Sequence, residues 1–239
     1  MLLCDHMEMT GKTKQAVILA AGKGTRMLHL TAQTPKPLLS LGNKNLLEHK
    51  ILALPGHVRE VVLVIGVMGD QIREFFGDAY AGRRIRYATQ EIQNGTMGAL
   101  LAAKHLLEER FLVMMGDDLY GAEDIARLSS EVLAMGVWPV ENVIRGGEIL
   151  SNDDGTLREV IETKREIKNG FLNPALYALN QEIFAIEPVS AANGHDELGL
   201  PQTLAMLAKR RPVKLIPIAH WTQITAPEDL VRAEEFVRG

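Results

Sequence analysis

The sequence predicts an α/β fold of three layers, with a mixed, mostly parallel sheet between helices and a β-hairpin added to it. Three observations carry this expectation. Apolar, β-branched runs alternate with helical patterns along the first half of the chain, and such alternation gives a parallel sheet covered on both faces. The first run ends in a glycine-bearing stretch, as a buried strand delivering a loop does. Further on the chain changes to short extended runs, two of them joined by Asn152-Asp153-Asp154-Gly155, a sequence suited to a hairpin turn.

Taken in order, the first strand is Gln15–Ala20, which empties into the loop Ala21–Met27. Strands at Glu60–Ile65, Arg84–Thr89 and Phe111–Met115 are expected to follow. Helices at about Leu46–Leu54, Asp70–Phe76 and Met97–Leu107 fall between them. Val137–Asn142, Gly147–Ser151 and Leu157–Glu162 read as extended, the last two forming the hairpin. Asn173–Leu179 reads as another strand, Pro201 suits the first turn of a helix running through Lys209, Val213–Ile218 is a strand and Pro227–Val237 a closing helix. There is neither an internal repeat nor a domain boundary, so 15–239 is read as one domain behind a flexible segment, 1–14.

With 239 residues, 46% of them hydrophobic and 23% charged, the chain can bury a sizeable core. A formal net charge of -4 argues against a general nucleic-acid binder while leaving room for a small phosphate pocket. Cys4 is the only cysteine, which excludes an intrachain disulfide framework and a cysteine-based zinc site. Met1–Lys14 mixes Asp5, His6 and Glu8 with apolar residues and lacks a signal-peptide core, and no run reaches transmembrane length. The expected setting is cytoplasmic, with no membrane or nucleic-acid partner; homo-oligomerisation is left open. The histidines are dispersed without metal-ligand spacing, and no nucleophile pattern for Ser-His-Asp chemistry is present.

The chemistry concentrates first in Leu19-Ala20-Ala21-Gly22-Lys23-Gly24-Thr25-Arg26-Met27, followed by Thr31 and Pro35-Lys36-Pro37-Leu38. Glycines after a strand let backbone N–H groups approach phosphate oxygens and form an anion-binding nest. Arg26 and Lys36 then add a planar fork and a point charge, with Pro35 and Pro37 restricting the loop that presents the lysine. A glycine pair alone reads equally as a plain tight turn. No Gly-Lys-Ser/Thr follows at P-loop spacing, and the third glycine of a dinucleotide fingerprint is missing.

These residues resemble the sugar nucleotidyltransferase family, whose first-strand loop reads roughly G-x-G-T-R-(L/M) before a threonine and a P-K-P-L element. The resemblance implies a Rossmann-like nucleotidyltransferase fold. It implies that Ala21, Gly22, Gly24 and Thr25 wrap a triphosphate, that Arg26 holds the departing pyrophosphate and that Lys36 contacts phosphate at the reacting centre. Gln90-Glu91-Ile92-Gln93-Asn94-Gly95-Thr96 is similar to the family's base-reading segment. An amide can both donate to and accept from a pyrimidine edge, so Gln90 suits that task, with Gly95 letting the base lie on backbone and Thr96 beside it. Read by itself, Gln90 is a surface residue.

Met114-Met115-Gly116-Asp117-Asp118 closes an apolar strand with two carboxylates, where an open α/β sheet presents its ligand crevice. Asp117 falls on the family's metal-binding aspartate, and hard carboxylate oxygen suits Mg2+; a helix cap is the plainer reading of either aspartate. Trp221-Thr222-Gln223-Ile224-Thr225-Ala226-Pro227-Glu228-Asp229-Leu230 resembles the family's closing segment, which normally supplies a second metal aspartate. Gln223 stands there, and an amide oxygen coordinates without adding charge. Trp221 reads as core packing ahead of a ligand contact. For the sugar and its phosphate the resemblance implies Gly147, Glu162, Lys164 and Asn173. Thr163 departs from the pattern where the family has lysine, and each of these residues also reads as a solvated strand residue.

The function implied is Mg2+-dependent transfer of a nucleotidyl group from a nucleoside triphosphate, UTP or dTTP first, to a sugar 1-phosphate. Cytidylyl transfer to a sugar or non-sugar phosphate is the alternative within enzymes. A non-catalytic nucleotide- or sugar-sensing protein on the same scaffold is the alternative outside them.

Overall fold

In the computed structural model, the residues described are 11–143, 146–163, 166–191 and 197–238. The first half contains β1 (Gln15–Leu19), β2 (Ser40–Leu41), β3 (Lys44–Asn45), α1 (Leu46–Ala53), β4 (Glu60–Ile65), α2 (Gly69–Phe76), β5 (Ala79–Tyr80), β6 (Arg83–Thr89), α3 (Thr96–Ala103) and β7 (Arg110–Met115). Then come β8 (Asp118–Tyr120), α4 (Ala122–Leu128), β9 (Ala134–Val143), β10 (Gly146–Ser151), β11 (Leu157–Thr163), β12 (Ile167–Leu172) and β13 (Leu176–Asn180). The chain closes with β14 (Val189–Ser190), β15 (Leu198–Gly199), α5 (Leu200–Ala208), β16 (Lys214–Pro217), β17 (Trp221–Gln223) and α6 (Asp229–Arg238).

The main sheet runs β11-β10-β12-β9-β13-β7-β1-β4-β6-β5, with β16 paired to β9. Its centre, β7-β1-β4-β6, is parallel, and the strands beyond β7 join antiparallel. The expected hairpin is present as β10 and β11. Every residue of β1 is buried, as a strand covered on both faces must be. The period of two then divides its side chains. Val17 and Leu19 pack with Met97, Leu100, Leu200 and Leu204 of α3 and α5, while Ala16 and Ile18 pack with Leu47, Ile51, Ile72 and Ile125 of α1, α2 and α4 on the other face. A third cluster joins Met27, Leu39 and Leu46 to Leu119, Ile224 and Ala233, fastening the loop after β1 and α6 to β8.

Several boundaries differ from the sequence expectation, each for a local reason. The helix expected over Met97–Leu107 ends at Ala103 and tightens into a 3₁₀ turn over Lys104–Leu106. The strand expected from Asn173 begins at Leu176, because Ala175 adopts a positive φ of 56° that breaks extension. α4, β8, β12 and β17 have no counterpart in the sequence reading; they are short, and β12 contains Asn169 at a φ of 46° together with Gly170. Of the segment expected to be flexible, 1–10 lies outside the described residues. Thr13 donates its N–H to Ser129 at 2.8 Å and Lys14 accepts from the Arg59 N–H at 2.7 Å. Among the described residues no helix is long and apolar enough to cross a membrane.

α4 holds the approach to β17 in place. Asp124, buried to 1% exposure, accepts from the backbone N–H groups of Ala219 at 3.1 Å and His220 at 2.8 Å and from Arg127. Asp124→Ala strips the two N–H groups and the guanidinium of their shared acceptor. It is expected to cost about 3 kcal/mol of stability in denaturant unfolding; a loss under about 1 kcal/mol would refute the anchoring role.

Candidate active site

The parallel strands point their carboxyl ends at one edge, and the loops leaving them converge there. Leu19 lies opposite both Val64 and Met115 in register, so the loop after β1 emerges directly beside the Gly116-Asp117 turn, and Gly116 donates to Leu19 O at 2.8 Å. The result is a cleft of about 650 Å³. Ala21, Gly22, Gly24, Thr25, Arg26 and Lys36 line one wall; Gln90, Gly95 and Thr96 line another; Asp117, Glu162, Asn173 and Gln223 complete it. Residues read from distant parts of the sequence are thus brought to a single cavity. Gly147 does not line it, but lies opposite Glu162 in register and accepts from Asn173 N at 2.9 Å, so it backs the two side chains that do. Lys164 lies outside the described residues.

Gly24 sits at φ 63° ahead of the 3₁₀ helix Thr25–Thr31, and a Cβ there would meet Lys36 Cβ at 2.9 Å. The glycine therefore lets the loop after β1 and the loop of Lys36 touch. Its carbonyl accepts from the Thr31 hydroxyl at 3.0 Å, which gives the threonine of the motif a structural task. Arg26 is exposed at the mouth.

Lys36 is buried to 7% exposure. Its ammonium donates to Asp117 Oδ2 at 2.8 Å and to the carbonyl of Ile224. An ammonium has three N–H donors, and these two bonds leave one for a ligand. Asp117 stays open to the cleft, its side chain 38% exposed.

Asp118, by contrast, points inward, which separates the two adjacent carboxylates by environment. It accepts from the indole N–H of Trp221 at 3.1 Å, while its Oδ1 is buried with no hydrogen-bond partner among the described residues. Burial and then the neighbouring charge of Asp117 push its carboxyl up, against the Trp221 hydrogen bond and the fields of Lys50 and Lys36. Trp221 packs against Trp138 with ring centroids 5.8 Å apart, so its ring belongs to the core. β17 pairs antiparallel with β8, with Gln223 opposite Asp118, and this register brings the Gln223 amide to the cavity beside Asp117.

Among the described residues no cluster of three His, Cys, Asp or Glu side chains forms a metal cage. The oxygen donors of Asp117 and Gln223 nevertheless share the cleft, and two hard oxygen ligands fit an ion that keeps several waters.

The wall of Gln90, Gly95 and Thr96 corrects one reading, that of Gln90 as a surface residue. Gln90 is buried, and its amide donates to Asn94 Oδ1 at 3.2 Å and Gly95 O at 3.1 Å. Gln93 donates to Ala21 O at 2.9 Å, closing this loop onto the loop after β1. Gly95 has φ 96°, and a Cβ there would lie 2.5 Å from Leu198 O. The glycine is therefore needed for the close approach of β15, whose Leu198 N–H donates to Asn94 O at 2.7 Å. Thr96 likewise spends its hydroxyl on the Leu200 N–H at 3.0 Å. Gly95→Ala is expected to cost about 3 kcal/mol through backbone strain and collision. Nucleotide KM should rise about tenfold or more as the wall opens, in thermal melts and initial rates; an unchanged melting temperature would contradict this account.

Sequence reasoning missed several residues of the site. Tyr177, fully buried, shares hydrogen bonds with Asn173 at about 3.0 Å; its hydroxyl is pushed up by burial. Glu197, Leu198, Pro201 and Gln202 also line the cleft, and the Gly199–Pro201 helix start was their only sequence signal. Lys50 was hidden altogether, since a lysine in Leu46-Leu47-Glu48-His49-Lys50-Ile51 reads as the polar face of a helix. It is instead 1% exposed, and burial pushes its ammonium down against the fields of Asp118 and Asp117.

The family model described as "Nucleotidyl transferase" matches residues 15–238. The chain is 30% identical over 221 residues to the bifunctional protein GlmU of Methanococcus maripaludis, covering 91% of this chain and 53% of that protein. It is 31% identical over 231 residues to the UTP–glucose-1-phosphate uridylyltransferase AglF of Haloferax volcanii, covering 92% of this chain and 95% of that one. The chain thus spans about half the length of the GlmU relatives it matches and nearly all of AglF. Among solved structures, the inositol-1-phosphate CTP transferase from T. maritima superposes with a TM-score of 0.77 at 18% identity, covering 96% of both chains.

Proposed function

Because the chain belongs to the nucleotidyl transferase family, we propose that it transfers a nucleotidyl group from a nucleoside triphosphate to a sugar 1-phosphate and releases pyrophosphate. One observation carries the reading: the phosphate loop, Lys36, Asp117 and the base-side wall face the same cleft. UTP and dTTP are the favoured donors. The Gln90 to Thr96 segment resembles the family's pyrimidine-reading stretch, and the full-length relative at 31% identity is named for UTP.

In this reaction an oxygen of the sugar phosphate attacks the nucleotide α-phosphorus. A new P–O bond forms as the bond to the bridging β-phosphate oxygen breaks, and pyrophosphate departs with the electron pair. The nucleophile is already an anion, so the protein contributes position and charge rather than a strong base. The amides of 21–25 cradle the triphosphate. Arg26 at the mouth neutralises the leaving pyrophosphate, and the remaining N–H of Lys36 reaches the phosphoryl group in transfer. Glu162 and Asn173 face the sugar as hydrogen-bonding groups. Asp117 and Gln223 would hold Mg2+, which when bound supplies neutralisation of the phosphate charge.

The test is pyrophosphate release across a grid of triphosphates and sugar 1-phosphates with Mg2+. UTP or dTTP with a hexose or hexosamine 1-phosphate is expected to lead. Preference for CTP would move the assignment to cytidylyl transfer. The neutral Gln223 favours one other reading, a chain that binds nucleotide without turnover; calorimetric binding with no pyrophosphate from any pair would establish it and end the transferase proposal.

A further inference from the structure

Among the described residues, Lys50 is the one fully buried cation at the site for which nucleotidyl transfer has no use. It lies on α1 three residues after Leu47 and four after Leu46, so the three side chains share a helix face. Leu46 packs with Leu119, and Leu47 and Ile51 pack with Tyr120. Lys50 is therefore held against β8, behind the turn that carries Asp117 and Asp118. Its Nζ has no hydrogen-bond partner among the described residues, and neither has Asp118 Oδ1. The opposing fields that act on it come first from Asp118 and then from Asp117.

An ammonium without hydrogen bonds in an apolar interior is costly, and leucine or methionine would fill the same place at no such cost. What the charge does contribute is electrostatic. Two neighbouring acids have two lysines near them, Lys36 paired with Asp117 on the cleft side and Lys50 behind, while the residue opposite Asp118 in β17 is the neutral Gln223. The field of the acids is thus opposed from within the protein before any ligand arrives.

We propose that Lys50 is a positioning residue, a buried counter-cation behind the Asp117–Asp118 turn that weakens the cleft's hold on a divalent ion and strengthens its hold on nucleotide phosphate. This rests on the reading of the cleft as a nucleotide and metal site. Through a low-dielectric wall a single charge acts on cation and anion with opposite sign.

The experiment is calorimetry on wild type and Lys50→Met with Mn2+ alone, and with UTP alone in EDTA. Removing the charge is expected to tighten Mn2+ by about tenfold and to weaken UTP by a similar factor. Lys50→Arg, which keeps the charge, should stay near wild type in both titrations. A merely structural lysine would weaken both ligands together when replaced, and that result, or no change in either, overturns the proposal. Lys50→Gln keeps a polar tip and repeats the comparison should methionine leave Asp118 uncompensated and the chain unfolded. Wild type that binds neither Mn2+ nor UTP overturns the site reading itself; wild type that binds both, with Lys50→Met indistinguishable from it, overturns the role of Lys50 alone.

Discussion

Lys36→Ala is expected to lower turnover on the order of 100-fold or more, with a smaller change in nucleotide KM. The ammonium is fixed in advance by Asp117 and the Ile224 carbonyl, so in the proposed reaction it would meet the developing charge on the phosphoryl group without reorganising. A charge that is already oriented and mostly shielded from water acts more strongly than one on a mobile surface chain. The loss should therefore appear in kcat. Steady-state pyrophosphate release by a folded variant measures it, and turnover within about threefold of wild type would remove Lys36 from the reacting centre.

The second large effect is expected at Asp117. Asp117→Asn keeps the shape of the side chain, removes its charge and leaves Lys36 without its ion pair. It should lower turnover on the order of 1000-fold and raise the Mg2+ concentration needed for half-maximal rate by about tenfold or more. A Mg2+ titration of pyrophosphate release separates the two losses. If Asp117→Asn kept its Mg2+ requirement and lost only rate, Asp117 would be acting on Lys36 and the metal would be held elsewhere. Asp118 provides the contrast, because its carboxyl group borders the same cleft but is 3% exposed and bonded to Trp221.

How far the sequence reaches can be seen residue by residue. The β1 run and its loop are legible because a strand buried on both faces leaves an unbroken apolar record, and because a glycine loop with Arg26 and Lys36 has few other uses. Glu60–Ile65 reads to its observed ends for the same reason. The short β8, α4 and β17 leave no periodic trace, since three to seven residues are too few to show one. Their placement depends on Asp124 binding backbone far along the chain, a contact that no local pattern encodes. Gly95 and Thr96 read as nucleotide contacts and do line the cleft, and their tight geometry serves the approach of β15 and α5 as well. Spacing tells that a residue is constrained; it does not tell by what. Lys50 is the extreme case, where a helical pattern that ordinarily places lysine in water conceals a charge in the interior.

The pairing of Trp138 with Trp221 has a consequence for observing this molecule at work. These are the two tryptophans of the chain, and they lie 5.8 Å apart, one of them bonded through its indole N–H to the carboxylate next to Asp117. All indole emission thus comes from a single spot beside the Asp117–Asp118 turn. Native, unlabelled protein carries its own optical gauge, and stopped-flow mixing with nucleotide is expected to change the emission of that one source.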